Sequence, residues 1–511
     1  MKRFFGLLCA GAVLATAGQW ITFGGNPQRD GWARGENILT KENVGKMRLV
    51  WKLKLDSPAR ELSSLTAPII AENVLTAQGH KDIILEAGAG DTLDAIDSDT
   101  GRLLWHKKFE VTAAPKQAAR WLCPNGLNAT PVIQSGGENP RDRTVHVITS
   151  DGKLHSINVV NAEDRKAPVQ FVPPFSKSWS LNLVDSVLYT TTSQGCGGAK
   201  SGVWAMDLND PNRVVTFFAS TGGIWGRAGV ATDAAGTVFA LTGDAAYDPA
   251  TEKYGDTLMA LAPKTLKVLD HYAPANFAFM NRKDLDMGSM SPVIFSFQGR
   301  ELVVAGGKEG RLFVLDAKTP GGTTHHDALY RSPVYLNADL YSAGRGFWGA
   351  FASWEDAKGA RWVYAPAWGP VEHTDPGFTA TNGAAPDGGV MAFRLEEKDG
   401  KPVLTPVWMS RNLNVPEPPV IANGVVFALS NGESVVQATD DGRIVSTEQR
   451  LKAATGHAVL YAFDAENGKE LFNSGDAMSG MTHFSGIAVA NGRVYVAGFD
   501  SVLYSFGFPE E

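Results

Sequence analysis

The groups from which this 511-residue chain could build a reactive site are few in type: three cysteines, ten histidines and 54 aspartates and glutamates. Cys123 and Cys196 stand far apart, so they form no zinc site by spacing, and no Cys-x-x-Cys-His occurs for covalent haem. His325 and His326 lie in a Gly-Gly-Thr-Thr-His-His-Asp segment that reads as a solvated turn rather than a metal site. The sequence has no glycine-rich phosphate loop, no serine nucleophile elbow and no His-Glu-x-x-His. If this chain moves electrons, it must hand them to something else. An aromatic, glycine-rich stretch from 344 to 349 (Gly-Arg-Gly-Phe-Trp-Gly), followed by Trp354, Trp362 and Trp368, can line a ligand mouth, act as a lid, or simply pack.

Composition excludes some partners. Lys+Arg number 47 against 54 Asp+Glu, for a net charge of −7 dispersed along the chain, which leaves no footprint for nucleic acid or an anionic membrane. With 44% hydrophobic residues the chain can bury a large core and is not disordered. Lys2 and Arg3 precede an apolar run over 4–14 and then Ala15-Thr16-Ala17, a small-x-small sequence with cleavage expected after Ala17. Read instead as a membrane anchor, the run is well short of the roughly 20 residues needed to span a bilayer. Residues 1–17 are thus expected to be a signal peptide, and the mature protein to be periplasmic or secreted. Leu8 before Cys9 does not suit a lipoprotein signal. In an oxidising compartment the two remaining thiols, Cys123 and Cys196, can pair as a single disulfide.

The elements that must position any site repeat. Residues 92–97 (Thr-Leu-Asp-Ala-Ile-Asp), a Thr100-Gly101 turn and a strand bearing Trp105 follow a strand over 82–86, which is a β-meander. The same cadence returns at 459–472, and weaker copies fall at 154–158, 203–207, 258–262, 312–316 and 390–394. Opening strands of the form Pro-Val/Ile-Ile begin at Pro68, Pro131, Pro292 and Pro419. These units predict an all-β, eight-bladed β-propeller of four-stranded antiparallel blades in one domain, 18–511. The final unit, 485–508, lacks a tryptophan strand, and residues 48–55 (Arg-Leu-Val-Trp-Lys-Leu-Lys-Leu) supply one. The N- and C-terminal strands are therefore expected to share one blade and close the ring. Two separate all-β domains would need a linker that the sequence does not contain.

The unit from Ala95 to Trp105, and the opening from Trp20 to Trp32 followed by Leu39 to Val44, resemble the tryptophan-docking repeat and mature start of the pyrroloquinoline quinone (PQQ) propellers. That family includes quinoprotein alcohol dehydrogenases and non-enzymatic relatives. In the dehydrogenases PQQ lies at the ring axis between a tryptophan and a disulfide of adjacent cysteines, beside a calcium ion, a catalytic Asp and a cation contacting the quinone oxygens. The resemblance implies Trp225 (Gly-Gly-Ile-Trp-Gly) as the stacking floor and Asp244 as a calcium ligand, where the family has Asn. It implies Asp286 as the base toward the alcohol and Lys308 as the quinone-contacting cation. Each has a plainer reading: Trp225 as blade packing, and Lys308-Glu309-Gly310 as an exposed hairpin turn.

Two family elements are missing. There is no adjacent cysteine pair, though some members also lack it, and Cys196 stands where a calcium-binding Glu would be expected. A thiol is a poor ligand for a hard cation. On the same alignment Cys123 can instead bond to Cys196 and staple neighbouring blades near the axis. Two functions follow. One is a quinoprotein oxidoreductase that oxidises an alcohol or sugar with PQQ and calcium, without haem, using an external electron acceptor. The other is a non-catalytic extracytoplasmic propeller that binds a protein partner or serves assembly. The first requires Trp225, Asp244, Asp286 and Lys308 to converge on one axial pocket.

Overall fold

The computed structural model describes residues 20–509 apart from 136–138, 140, 220–221, 337–343, 372–376, 438, 440–442 and 455. The expected signal peptide lies outside the described residues. Seven blades form in chain order from residues 69–108, 132–170, 177–218, 231–272, 293–331, 346–409 and 420–473. The eighth joins Ile487–Ala490, Arg493–Ala497 and Val502–Gly507 to Arg48–Lys54, with Trp51 opposite Ser505 in the antiparallel closing pair. The propeller and its shared closing blade are as the repeats predict. Among the described residues the two α-helices, Phe277–Lys283 and Thr447–Lys452, are seven and six residues long. None is long and apolar enough to cross a membrane.

Burial explains the strand sequences. Inner and middle strands are covered on both faces by adjacent blades, so Thr92–Asp97 is buried at every position, while the outer strand Leu103–Lys108 is partly exposed throughout. The repeat tryptophans sit on those outer strands and reach the next blade. Trp51 Nε1 donates to Ser98 O (3.0 Å), Trp105 Nε1 to Val159 O (2.9 Å) and Trp408 Nε1 to Ala465 O (2.8 Å). Each acceptor follows the Asp or Asn that ends a third strand. The ring then lies on the turn beyond it: a Cβ on Gly101 would stand 2.5 Å from Trp51, and one on Gly468 2.6 Å from Trp408. Glycine is needed there both for close approach and for φ near +70°. The motif Asp, Gly, Trp thus encodes contact between blades rather than chemistry.

Segment 20–33 plugs the axis. The backbone N–H groups of Ile70, Ile133, Thr232, Ile294, Ser353 and Ile421 donate to the carbonyls of Trp20, Ile21, Pro27, Gln28, Asp30 and Gly31, and Thr22 Oγ1 donates to Leu181 O. One short stretch therefore bonds to seven blades. Buried Arg29 anchors it through the carbonyls of Phe23, Leu181 and Val230. Phe23 meets Ala67, Ala228 and Ala350 at the centre.

The histidine turn is largely exposed, as its sequence suggests, but it is anchored on one side. His325 Nδ1 lies 3.0 Å from Asp270 Oδ1, and its ring stacks on buried His271 with centroids 4.1 Å apart, so one face packs against blade 4 while the side chain stays 45% exposed. The sequence signal was missing because His271 lies in a different blade repeat from the turn.

Candidate axial site

The connections at one end of the ring bring the predicted residues to a cavity of about 470 Å³. Trp225 comes from the link between blades 3 and 4, and Asp244 follows the blade 4 strand Val238–Leu241. Asp286 lies between helix Phe277–Lys283 and blade 5, and Lys308 follows the blade 5 strand Arg300–Gly306. All four line this cavity, together with Asp284 and Trp348. Backbones interlock closely behind them: Lys308 N donates to Asp286 O (3.0 Å), and a Cβ on Gly307 would stand 2.4 Å from that carbonyl oxygen.

Lys308 is buried rather than exposed on a hairpin. Its Nζ is 2.7 Å from Asp286 Oδ2 and 2.8 Å from Asp284 Oδ1, and 5.2 Å and 5.4 Å from the ring centres of Trp225 and Trp348. Trp348 meets Trp225 edge to face at 5.0 Å and stacks on Trp368 at 4.6 Å. The aromatic stretch therefore divides: Trp348 lines the cavity with Trp368 behind it, whereas Trp354 and Trp362 pack between blades 6 and 7.

Negative charge is in surplus here. Oxygens of Asp244, Asp284 and Asp286 lie within 4.8 Å of one another, and fully buried Asp256 stands behind them with Oδ1 3.4 Å from Met287 N. Asp286 Oδ1 and Asp256 Oδ2 have no hydrogen-bond partner. Burial raises the pKa of Asp286; Lys308 opposes this, and Asp284 and Asp244 reinforce it. Burial, then Asp286 and Asp244, raise Asp256 well above the carboxylate range, and burial with Asp284 raises Asp244. For Lys308 burial acts downward, but Asp286 and Asp284 prevail and raise it, so the ammonium persists. Oxygen donors crowded in low dielectric suit a hard cation.

Cys123 and Cys196 are joined as a disulfide with Cα atoms 5.4 Å apart. It ties the loop of Trp121 and Leu122 to the turn of Gln194, and all three line the cavity. Cys196 therefore offers no free thiol to a metal.

Several lining residues gave no sequence signal. Lys177 and Trp179 lie at the start of blade 3, and Arg450 and Phe484 come from blade 7 and the link after it. Lys177, Trp179 and Phe484 also line a void of about 30 Å³ above Phe23, so they form a partition between the cavity and the axial plug.

The pattern of the family described as outer membrane protein assembly factor BamB matches residues 32–217. No curated protein matches the sequence. Among solved structures, quinohemoprotein alcohol dehydrogenase from Comamonas testosteroni is similar with a TM-score of 0.60 and 14% identity, over 96% of this chain and 82% of that one. A quinohemoprotein alcohol dehydrogenase from Pseudomonas putida HK5 is similar at 0.60 and 13%, over 97% and 81%. A europium-containing methanol dehydrogenase gives 0.60 and 13%, over 96% and 98%. With its eight blades and docked tryptophans, the chain has the eight-bladed β-propeller fold of these dehydrogenases, and its residues 32–217 carry the PQQ-repeat pattern.

Proposed function

We propose that this chain is an exported quinoprotein oxidoreductase that holds PQQ and calcium in the axial cavity and oxidises an alcohol or a sugar. The observation that carries the reading is the convergence of Trp225, Asp244, Asp286 and Lys308 on one cavity, from four separate connections of the ring. A purely structural propeller has no need of a buried ammonium among carboxylates beside an indole face. The similarity to quinohemoprotein dehydrogenases supports it for the fold.

The residues fit both groups. Asp244, with Asp284 beside it, supplies oxygen ligands to a hard cation, whose charge would offset the carboxylate surplus. Trp225 offers a flat apolar floor. When bound, the quinone supplies a two-electron acceptor for the hydride leaving the substrate carbon. Asp286 accepts the substrate hydroxyl proton at Oδ1, the oxygen without a partner, while Lys308 fixes Oδ2. The stacked Trp348 and Trp368 exclude water from this wall. With no haem-attachment motif in the sequence, electrons leave to an external acceptor.

The test adds PQQ and calcium to the purified chain and follows quinone absorbance together with calorimetric binding. Saturable, calcium-dependent uptake that Trp225→Ala abolishes is expected. No uptake at high micromolar quinone would overturn the reading and favour a protein-binding propeller, the alternative that the BamB-family match supports.

A further inference from the structure

Behind the cavity wall lies a second charged cluster, which the proposed chemistry does not use. Arg227 pairs with Glu417 (3.1 Å), Arg450 pairs with Glu433, and His483 Nδ1 also contacts Glu433 (2.6 Å). Every one of these side chains is buried. Burial drives His483 down to about 4, so it is neutral near pH 7 and the two arginines are matched by the two glutamates. Lys177 is the remaining basic group. It is 7% exposed, and it has no hydrogen-bond or ion-pair partner among the described residues. Its Nζ lies 5.1 Å from the Trp179 ring centre, which uses none of its three N–H donors.

A buried ammonium without an acceptor is expensive, and folds retain one chiefly where something else completes it. Lys177 opens on the 470 Å³ cavity, as do Arg450 and the indoles of Trp121 and Trp179. Arg450 lies over Trp121 at 4.6 Å. The wall is thus positive and flat-sided, in contrast to the carboxylate cluster that lines the same cavity.

We propose that Lys177 forms an oxyanion subsite, which takes the carboxylate of an organic acid whose flat apolar part lies along Trp179 and Trp121. The inference deepens the oxidoreductase reading, and rests on it only for the source of the acid: the bound cofactor or the substrate.

The experiment titrates the full chain with 2-naphthoate and, separately, 2-naphthamide, following heat and tryptophan fluorescence without quinone. The acid is expected to bind about tenfold more tightly than the amide, as one charge-assisted hydrogen bond would give. Lys177→Met should erase that preference and leave amide affinity unchanged, while Lys177→Arg keeps it. Equal affinities in the unmodified chain, or a preference that survives Lys177→Met, would overturn the proposal. Repeating the titration after PQQ loading assigns the source. Exclusion of naphthoate gives the subsite to the cofactor's acid, and simultaneous binding gives it to the substrate's. A chain that prefers naphthoate but takes up no PQQ keeps the subsite and loses the oxidoreductase reading; PQQ uptake without acid preference does the reverse.

Discussion

Lys308 Nζ stands 2.7 Å from Asp286 Oδ2 with both side chains buried, and the same ammonium faces Asp244, Asp256 and Asp284. Removing it strands carboxylates in low dielectric. Lys308→Met, studied in chelator so that no cation replaces the ammonium, is expected to lose about 3 kcal/mol of stability at pH 8. Without Lys308 the pKa of Asp286 rises further, so at pH 5 that carboxyl protonates and the loss shrinks. Lys308→Met/Asp286→Asn should recover more than half of it. Denaturant midpoints of the three proteins at both pH values decide, and an equal loss at pH 5 and pH 8 would refute the account.

Gly468 and Gly400 separate docking from backbone strain. Both have φ near +74°, but a Cβ on Gly468 would stand 2.6 Å from Trp408, whereas one on Gly400 meets nothing within 4 Å. Gly400→Ala is expected to cost about 1 kcal/mol, the left-handed penalty alone. Gly468→Ala should cost about 2 kcal/mol more, because the indole must move and give up its bond to Ala465 O. Unfolding of the two variants by urea, followed by tryptophan fluorescence, measures the difference. Equal costs would mean that the docked ring contributes nothing.

That docking is why the ring was legible in the sequence. The pattern of Asp97, Gly101 and Trp105 recurs where a tryptophan of one blade docks on the turn of the next, as Trp51, Trp105 and Trp408 do, and Arg48–Lys54 could be assigned to the last blade because Trp51 carries the outer-strand pattern. The site was legible only through residues in local motifs, namely Trp225, Asp244, Asp286 and Lys308. Asp256 sits in Gly-Asp-Thr, which reads as an ordinary turn, and ring closure is what puts it behind Asp286. Lys177 sits in Ser-Lys-Ser-Trp and reads as an edge-strand lysine. Its burial depends on Arg227, Arg450 and Phe484, which come from remote parts of the chain and meet it only at the axis.

The Cys123–Cys196 disulfide closes a loop with a sequence separation of 73, so chain entropy assigns it roughly 4 kcal/mol. Cys123→Ala/Cys196→Ala should therefore unfold at lower temperature than the unmodified chain, and a thiol reductant should lower the unmodified chain to the same point while leaving the variant unmoved. Thermal unfolding with and without reductant provides the comparison. A variant as stable as the oxidised parent would show that the link serves only the geometry of the cavity wall.

Lys177 should leave a signature in the pH dependence of stability. Burial, with Arg227 and Arg450 nearby, lowers its pKa to about 7 from the 10.5 of an unfolded lysine. Between those values the unfolded chain binds the extra proton, so this group's contribution to stability rises with pH; below pH 7 the full cost of the buried ammonium is present. Lys177→Met removes that cost. The variant is expected to be more stable than the parent at pH 7, with the advantage falling by about 2 kcal/mol by pH 9. His483, held down to about 4 by burial, stays neutral over this interval, and the neighbouring groups common to both proteins are compared with themselves in the difference. Denaturant midpoints at the two pH values test this, and a pH-independent advantage would show that Lys177 is paired in solution.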